Sequence, residues 1–237
     1  RFPAIDLPAT TRTIWFNEMD GWHLRDWELY RGARRVLDTR KLPLPGRHNR
    51  LNLCAALAAI DGLGLDAASL AVNALTFKPL PHRLQLLGSV DGIEFVNDSI
   101  STTPHASLAA LDCYKGRPVA ILVGGYDRGV DWGVFAERMA VDPPRAVITV
   151  GENGPRIFEQ LKPIAANRRF ALAEAKELED AMRLARECLE SHGVIILSPG
   201  APSFPRYQNY VERGRHFAKL AGFDPNAISA IPSLGVT

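Results

Sequence analysis

Phe95-Val96-Asn97-Asp98-Ser99-Ile100-Ser101-Thr102-Thr103-Pro104 is the stretch from which the rest of the chain can be read. An apolar strand ends in Asn-Asp-Ser, and a hydroxyl-rich segment then opens a helix, with Thr103 as its cap and Pro104 at its first position. Side chains at such a turn stand at the carboxyl edge of a sheet, where open α/β folds bind ligands. Asp98 can accept hydrogen bonds there, and Ser99 and Thr102 can make them. Taken alone, the stretch is equally a well-capped turn that holds no ligand.

Downstream, apolar runs alternate with helix-periodic segments. The runs are Val119–Val123, Ala146–Val150, 169–172 and 194–197, and the helical segments fall at about 103–113, 132–139, 154–161, 176–189 and 207–220. Continuous Val/Ile/Leu runs bounded by glycine predict strands buried on both faces. Residues 79–222 therefore read as a doubly wound, mostly parallel (Rossmann-like) α/β domain. A hairpin is expected where Asp91-Gly92 separates 84–90 from 93–96, and residues 224–237 read as a loosely held tail.

Lys78-Pro79-Leu80-Pro81-His82 reads as a linker, because each proline pushes its predecessor out of the helical region. The expected domains are thus 1–78 and 79–237. The first carries β-like runs at 12–16, 22–30 and 35–38, with turn signals at Asp20-Gly21 and Arg31-Gly32. A buried helix at 53–63 and an amphipathic one at 66–75 follow. Asn49 and Asn52 lie three apart at the start of the first helix and are expected to point the same way. Arg1-Phe2-Pro3 leads within a few residues into a strand-like run with no initiator Met, so the chain reads as a piece of a longer protein.

Composition narrows the function classes. The chain has 237 residues, 46% hydrophobic and 23% charged, with a net charge of +2. That charge supplies no field for nucleic acid or an anionic membrane. Cys54, Cys113 and Cys188 are widely spaced and sit in apolar stretches, as small core residues of a reducing compartment do. With no membrane-length apolar run and no secretory signal, the sequence predicts a cytoplasmic protein.

Four strand ends carry small or polar clusters on one sheet edge: Asn97-Asp98-Ser99, Gly124-Gly125-Tyr126-Asp127-Arg128-Gly129, Gly151-Glu152-Asn153-Gly154 and Ser198-Pro199-Gly200-Ala201-Pro202-Ser203. Gly124-Gly125 would let backbone approach a ligand, and Arg128 would put a cation beside it. Gly151-Glu152-Asn153-Gly154 lacks the spacing of a dinucleotide fingerprint. No GxxxxGK[ST] phosphate loop, Gly-x-Ser-x-Gly elbow or paired-histidine metal motif is present. His48 and His82 lie beside turns and read as structural.

Leu44-Pro45-Gly46-Arg47-His48-Asn49-Arg50-Leu51-Asn52, Leu80-Pro81-His82-Arg83, Asn97-Asp98-Ser99, Gly124-Gly125 with Asp127-Arg128, and Leu197-Ser198-Pro199 through Ser203-Phe204, Asn209-Tyr210 and Glu212-Arg213-Gly214 occur in this order. Together they resemble the Mur ligase family, and within it the type that adds glutamate to UDP-N-acetylmuramoyl-L-alanine (MurD type). The resemblance implies three domains, of which 1–78 is similar to the end of the central ATPase domain and 79–237 to the C-terminal, amino-acid-binding one. It implies ATP and Mg2+, with the phosphate loop and metal ligands upstream of these residues, so that this chain alone is expected to be inactive. The implied reaction is amide formation through an acyl phosphate. Asn49, Asn52, Arg83 and Asp98 resemble nucleotide contacts, the last two forming as domains close about a hinge at 75–81. Thr102, Arg128, Ser203, Phe204 and Tyr210 resemble the cradle for the incoming glutamate. Asp98 and Arg128 are the expected catalytic pair, and no metal ligand is expected in this chain.

Two departures from the family pattern stand out. Ile100 occupies the place of a lysine that helps hold glutamate, and Arg128 replaces another lysine with a planar fork that grips carboxylates differently. These features resemble the variant that adds L-glutamate, whose product a partner epimerase then inverts; addition of D-glutamate is the alternative. A folylpolyglutamate synthetase-like ligase and a non-catalytic nucleotide- or amino-acid-binding module are the more distant readings.

Overall fold

The computed structural model describes residues 10–168 and 170–229. The chain divides between Lys78 and Pro79 into two compact units. The first holds an antiparallel sheet of β1 (Trp22–Arg25), β2 (Glu28–Arg31) and β3 (Arg34–Asp38), followed by α1 (Arg47–Gly62), α2 (Ala67–Leu70) and a 3₁₀ turn over Ala71–Thr76. Its core joins Trp22 and Leu29 to Cys54 and Leu57. Burial pushes the Cys54 thiol up to about 11, as fits a packing residue.

Three expectations for this unit need correction. The run 22–30 is a hairpin rather than one strand: Asp26 takes φ 51°, and Arg25 pairs with Glu28 across the turn. Thr39 ties that turn down, its backbone N and Oγ1 both donating to the Trp27 carbonyl at 2.8 and 2.6 Å. Over 12–16 no strand forms; only Phe16 bridges, to Trp22, before Asn17 turns the chain at φ 61°. The first helix starts earlier than its apolar period suggested, at Arg47, because Gly46 at φ 94° redirects the backbone just ahead of it.

The second unit is built on a six-stranded sheet of order β4-β5-β9-β6-β7-β8. The strands are β4 (Gln85–Val90), β5 (Ile93–Asn97), β6 (Val119–Val123), β7 (Ala146–Val150), β8 (Ala171–Ala175) and β9 (Gly193–Leu197). All pairs are parallel except the β4/β5 hairpin, whose Asp91-Gly92 turn has both residues at positive φ, 53° and 81°. The parallel strands bury both faces, so successive side chains enter opposite cores. Val119, Ile121 and Val123 pack with α3 (Pro104–Cys113), α4 (Gly133–Val141) and α5 (Gly154–Arg168), whereas Ala120 and Leu122 pack with α6 (Leu178–Leu189) and α7 (Tyr210–Ala221). Strand β8 runs to Ala175, three residues beyond the expected end; Arg169, where that strand was expected to start, lies outside the described residues. The stretch after α7 is not loose where it is described: Ile228 and Ser229 are buried, while 230–237 of the expected tail lie outside the described residues.

Thr103 caps α3 as its sequence suggested, its Oγ1 accepting from the Ala106 N–H at 3.4 Å. Thr103→Ala is expected to cost about 1 kcal/mol in a urea titration, the usual worth of a hydroxyl cap. Among the described residues no helix is long and apolar enough to cross a membrane.

Candidate functional site

β5, β6, β7 and β9 run parallel, so their four polar ends meet on one edge. Chain order reverses there, since β9 lies between β5 and β6, and a crevice at the carboxyl ends is the expected consequence.

The Asn97-Asp98-Ser99 turn of this rim is buried throughout. Asn97 Oδ1 accepts from the Ser99 N–H at 3.1 Å, which turns Asn97 Nδ2 toward His82 Nδ1 at 2.9 Å. That ring nitrogen is therefore the acceptor, and His82 Nε2–H faces Ser229 Oγ at 3.0 Å. Burial, reinforced by the Arg215 charge, pulls His82 down to about 4, so the imidazole is neutral. His82 (φ 64°) and Leu84 (φ 44°) both adopt left-handed backbone, held by His82 N–H to Gln85 Oε1 at 2.9 Å and Ile100 N–H to His82 O at 3.2 Å. Arg83 stands exposed between them.

Asp98 is only 5% exposed. Its Oδ1 accepts from the Leu84 N–H at 3.1 Å and its Oδ2 from the Ser198 hydroxyl at 2.7 Å. Burial raises its carboxyl to about 6, even against those two donors and the Arg83 charge. A hydroxyl chain extends the network, with Ser101 Oγ 3.1 Å from Ser198 Oγ and accepting from the Gly200 N–H at 3.2 Å.

Gly124 and Gly125 are hemmed in by protein. A Cβ on Gly124 would overlap the Val150 carbonyl oxygen, and one on Gly125 would lie 2.5 Å from the Pro202 oxygen. Three strand-end loops interlock through them: Gly124 N–H donates to Pro199 O at 2.7 Å, Tyr126 N–H to Pro202 O at 3.1 Å, and Gly125 N–H to Asn153 Oδ1 at 2.8 Å. Both glycines also line the neighbouring cavity, so their bare backbone faces it as well.

Beside these loops a cavity of about 470 Å3 is lined by Tyr126, Glu152, Lys176, Ser203, Tyr207 and Arg213 among others, with Phe204 packed on Tyr126 at 5.1 Å between ring centroids. Of the expected acceptor residues, Ser203 and Phe204 line it, whereas Thr102, Arg128 and Tyr210 do not. Arg128 is exposed, and its neighbour Asp127 is held by Arg156 at 2.7 Å, which keeps that carboxylate below its ordinary range. Tyr210 packs edge-on against His82, 5.7 Å between centroids. Asn49 and Asn52 belong to the first unit. Asn49 is buried and donates to the Pro45 carbonyl at 2.7 Å, while Asn52 is exposed, so the two side chains meet different surroundings. Lys176 escaped the reading of the sequence because β8 ends without a glycine cluster; a lone lysine after an apolar run carries no signal. Among the described residues no group of acids, histidines and cysteines could hold a metal ion.

The family profile described as "Mur ligase, glutamate ligase domain" matches residues 82–201. A protein of Xanthomonas axonopodis pv. citri named UDP-N-acetylmuramoyl-L-alanine–L-glutamate ligase is 63% identical over 98% of this chain and 50% of its own length. A Xylella fastidiosa protein of the same name is 59% identical over 100% of this chain and 50% of its own length. This chain therefore spans about half the length of the curated relatives it matches. Among solved structures, it resembles UDP-N-acetylmuramate–alanine ligase of Thermotoga maritima with TM-score 0.54 at 19% identity, over 75% of this chain and 38% of that one. It also resembles a MurF ligase of the same organism, solved with ADP, with TM-score 0.52 at 13% identity, over 87% of this chain and 46% of that one. At such identity these two speak for the fold alone.

Proposed function

This chain belongs to the Mur ligase family, and from that premise we propose that it works in the ATP-dependent addition of L-glutamate to UDP-N-acetylmuramoyl-L-alanine, in peptidoglycan precursor synthesis. The observation that carries the proposal is 63% identity, across 98% of the chain, to a protein named for that reaction. In this reading residues 1–78 are the end of the ATPase domain, and residues 79–237 bring the acceptor amino acid. A carboxylate oxygen of the nucleotide-sugar substrate attacks the γ-phosphorus of ATP and ADP leaves. The amine of glutamate then attacks the acyl carbon, phosphate departs, and the amine loses a proton. Such chemistry asks the protein mainly to position groups and to stabilise charge.

By the family resemblance Asp98 and Arg83, together with Asn49 and Asn52 of the first unit, are assigned to the nucleotide, and Ser203, Phe204, Arg128, Thr102 and Tyr210 to glutamate. The support is that Asp98 belongs to the strand-end rim and that Ser203 and Phe204 line its cavity, whereas Thr102, Arg128 and Tyr210 lie outside that lining. Mg2+ would neutralise phosphate charge in the reaction, held by residues expected upstream of this chain. The preference for L-glutamate rests on Ile100 and Arg128, where the family resemblance leads one to expect lysines, and on the relatives' names. A partner epimerase would then act on the product.

The test supplies the intact ligase with UDP-N-acetylmuramoyl-L-alanine, ATP and Mg2+ and follows phosphate release with L- and D-glutamate separately. Turnover with the L form alone is the expected result. Turnover with the D form alone would overturn the stereochemical assignment, and silence with both would overturn the reaction.

A further inference from the structure

Beyond α7 the chain turns back on itself. Ile228 and Ser229, in a 3₁₀ turn over Ala227–Ser229, are both buried, and they pack against the turn that runs from His82 to Gln85. Ser229 Oγ lies 3.0 Å from His82 Nε2 and 3.0 Å from Arg215 Nε. Arginine only donates, and His82 Nδ1 already accepts from Asn97, so the Ser229 oxygen accepts from both. One residue earlier, the Ile228 carbonyl accepts from Gln85 Nε2 at 2.8 Å. That contact orients the amide, and Gln85 Oε1 consequently faces the His82 N–H at 2.9 Å.

These two residues supply what the turn lacks by itself. His82 at φ 64° and Leu84 at φ 44° both hold left-handed backbone, which side chains other than glycine keep only where their surroundings impose it. Arg83 is exposed between them, so the direction in which it leaves the surface is set by two strained neighbours. From the β5 side the turn is held by Leu84 N–H to Asp98 Oδ1 and by Ile100 N–H to His82 O. From the other side it is held by Ser229 and, through Gln85, by Ile228. Neither Ser229 nor Gln85 lines the 470 Å3 cavity.

We propose that Ser229 and Gln85 are positioning residues of the ligase, through which the segment 227–229 clasps the His82–Gln85 turn and aims Arg83 at the nucleotide. The proposal rests on the reading of the chain as part of an ATP-dependent ligase in which Arg83 meets the nucleotide. Ser229 acts through His82 and touches no substrate. Without its hydroxyl, the buried His82 Nε2–H and the Arg215 Nε–H lose their common acceptor. The imidazole is then free to turn, and the strained backbone beside it relaxes and carries Arg83 away from its aim.

The test measures the intact ligase, unmodified and as Ser229→Ala, Ser229→Thr and Gln85→Met, with ATP and glutamate varied in turn. Ser229→Ala is expected to raise KM for ATP by about 10-fold, the scale of one lost hydrogen bond, and to leave KM for glutamate within about twofold. Ser229→Thr keeps the hydroxyl and should restore KM for ATP. Gln85→Met keeps the length of the side chain, loses both amide contacts and should raise KM for ATP in the same direction. A purely structural role predicts a different pattern, a lower Tm with both KM values rising together. An unchanged KM for ATP in Ser229→Ala and Gln85→Met would overturn the proposal, as would parallel rises in the two KM values. So would a Ser229→Thr ligase as impaired as Ser229→Ala, because the hydroxyl is the group at issue. An unmodified ligase without turnover on glutamate would instead overturn the functional reading itself.

Discussion

Gly214→Ala should be among the most damaging single-methyl changes in the second unit. An alanine Cβ there would overlap His82 Nδ1 and lie 2.6 Å from Ser99 Oγ and 2.9 Å from Asn97 Nδ2. None of these atoms ends a flexible side chain. His82 is pinned by Asn97 and Ser229, and Asn97 by the Ser99 N–H. Overpacking of so rigid a site costs about 3 kcal/mol or more. The better helix propensity of alanine returns about 1 kcal/mol of that, so a net loss near 2 kcal/mol is expected, accompanied by loss of ligase turnover as α7 backs away from the Asn97-Asp98-Ser99 turn. Gly222→Ala is the control. Gly222 caps α7 at φ 91°, and an added methyl there would meet nothing within 4 Å, so only backbone strain of about 1 kcal/mol applies. If urea midpoints show Gly214→Ala no weaker than Gly222→Ala, the close packing of α7 on His82 is wrong.

Asp98→Asn should separate stability from activity. Asp98 keeps a buried carboxyl whose folded pKa is raised to about 6. A raised folded pKa means that its stabilising contribution is complete below the unfolded value, near 3.8, and is lost as pH rises through about 6. At pH 8 the ionised, buried carboxylate then opposes folding by about 3 kcal/mol, to order of magnitude. Asparagine keeps an acceptor for the Leu84 N–H, and the Ser198 hydroxyl can rotate to accept from its amide. The variant should therefore be as stable as the parent at pH 8 or more so, while turnover falls by about 100-fold if the charge serves the nucleotide. A variant destabilised at pH 8, or fully active, would contradict this account. His82 acts with the opposite sign. Its folded pKa is depressed to about 4, so its contribution is present above the ordinary 6.5 and is lost as pH falls toward 4. The Asp98→Asn background removes the carboxyl's opposing contribution and leaves that of the histidine, superimposed on those of ion-paired carboxylates such as Asp127 and Glu94, whose lowered pKa also costs stability in acid.

A stability cost retained at Asp98 is the kind of local conflict that marks functional positions. It was only half legible beforehand. The sequence showed a polar turn after an apolar strand, but the depth of burial depends on Leu84, Ser198 and α7 closing over it from distant parts of the chain. The same holds for Arg213, which belongs to a recognisable Glu-Arg-Gly motif, yet whose burial against the Ser99 and Ala201 carbonyls appears only once its neighbours are known. Lys176 had no sequence signal at all.

Local sequence by itself determined the strand and helix order of the second unit. Burial on both faces demands unbroken runs such as Val119-Ala120-Ile121-Leu122-Val123, and turns demand residues such as Asp91-Gly92, so both constraints are written into neighbouring residues. It also determined Thr103 as a cap and the shared edge of four polar strand ends. Tertiary structure alone decided what those ends do to one another. It brought Val150 and Pro202 carbonyls against Gly124 and Gly125, turned Asn97 and His82 into a fixed neutral pair, and withheld Thr102, Arg128 and Tyr210 from the cavity that Ser203 and Phe204 line. The physical reason is range. Propensity, capping and periodicity act within a few residues, whereas burial, dielectric and hydrogen-bond satisfaction are sums over groups up to 147 positions apart, as His82 and Ser229 are.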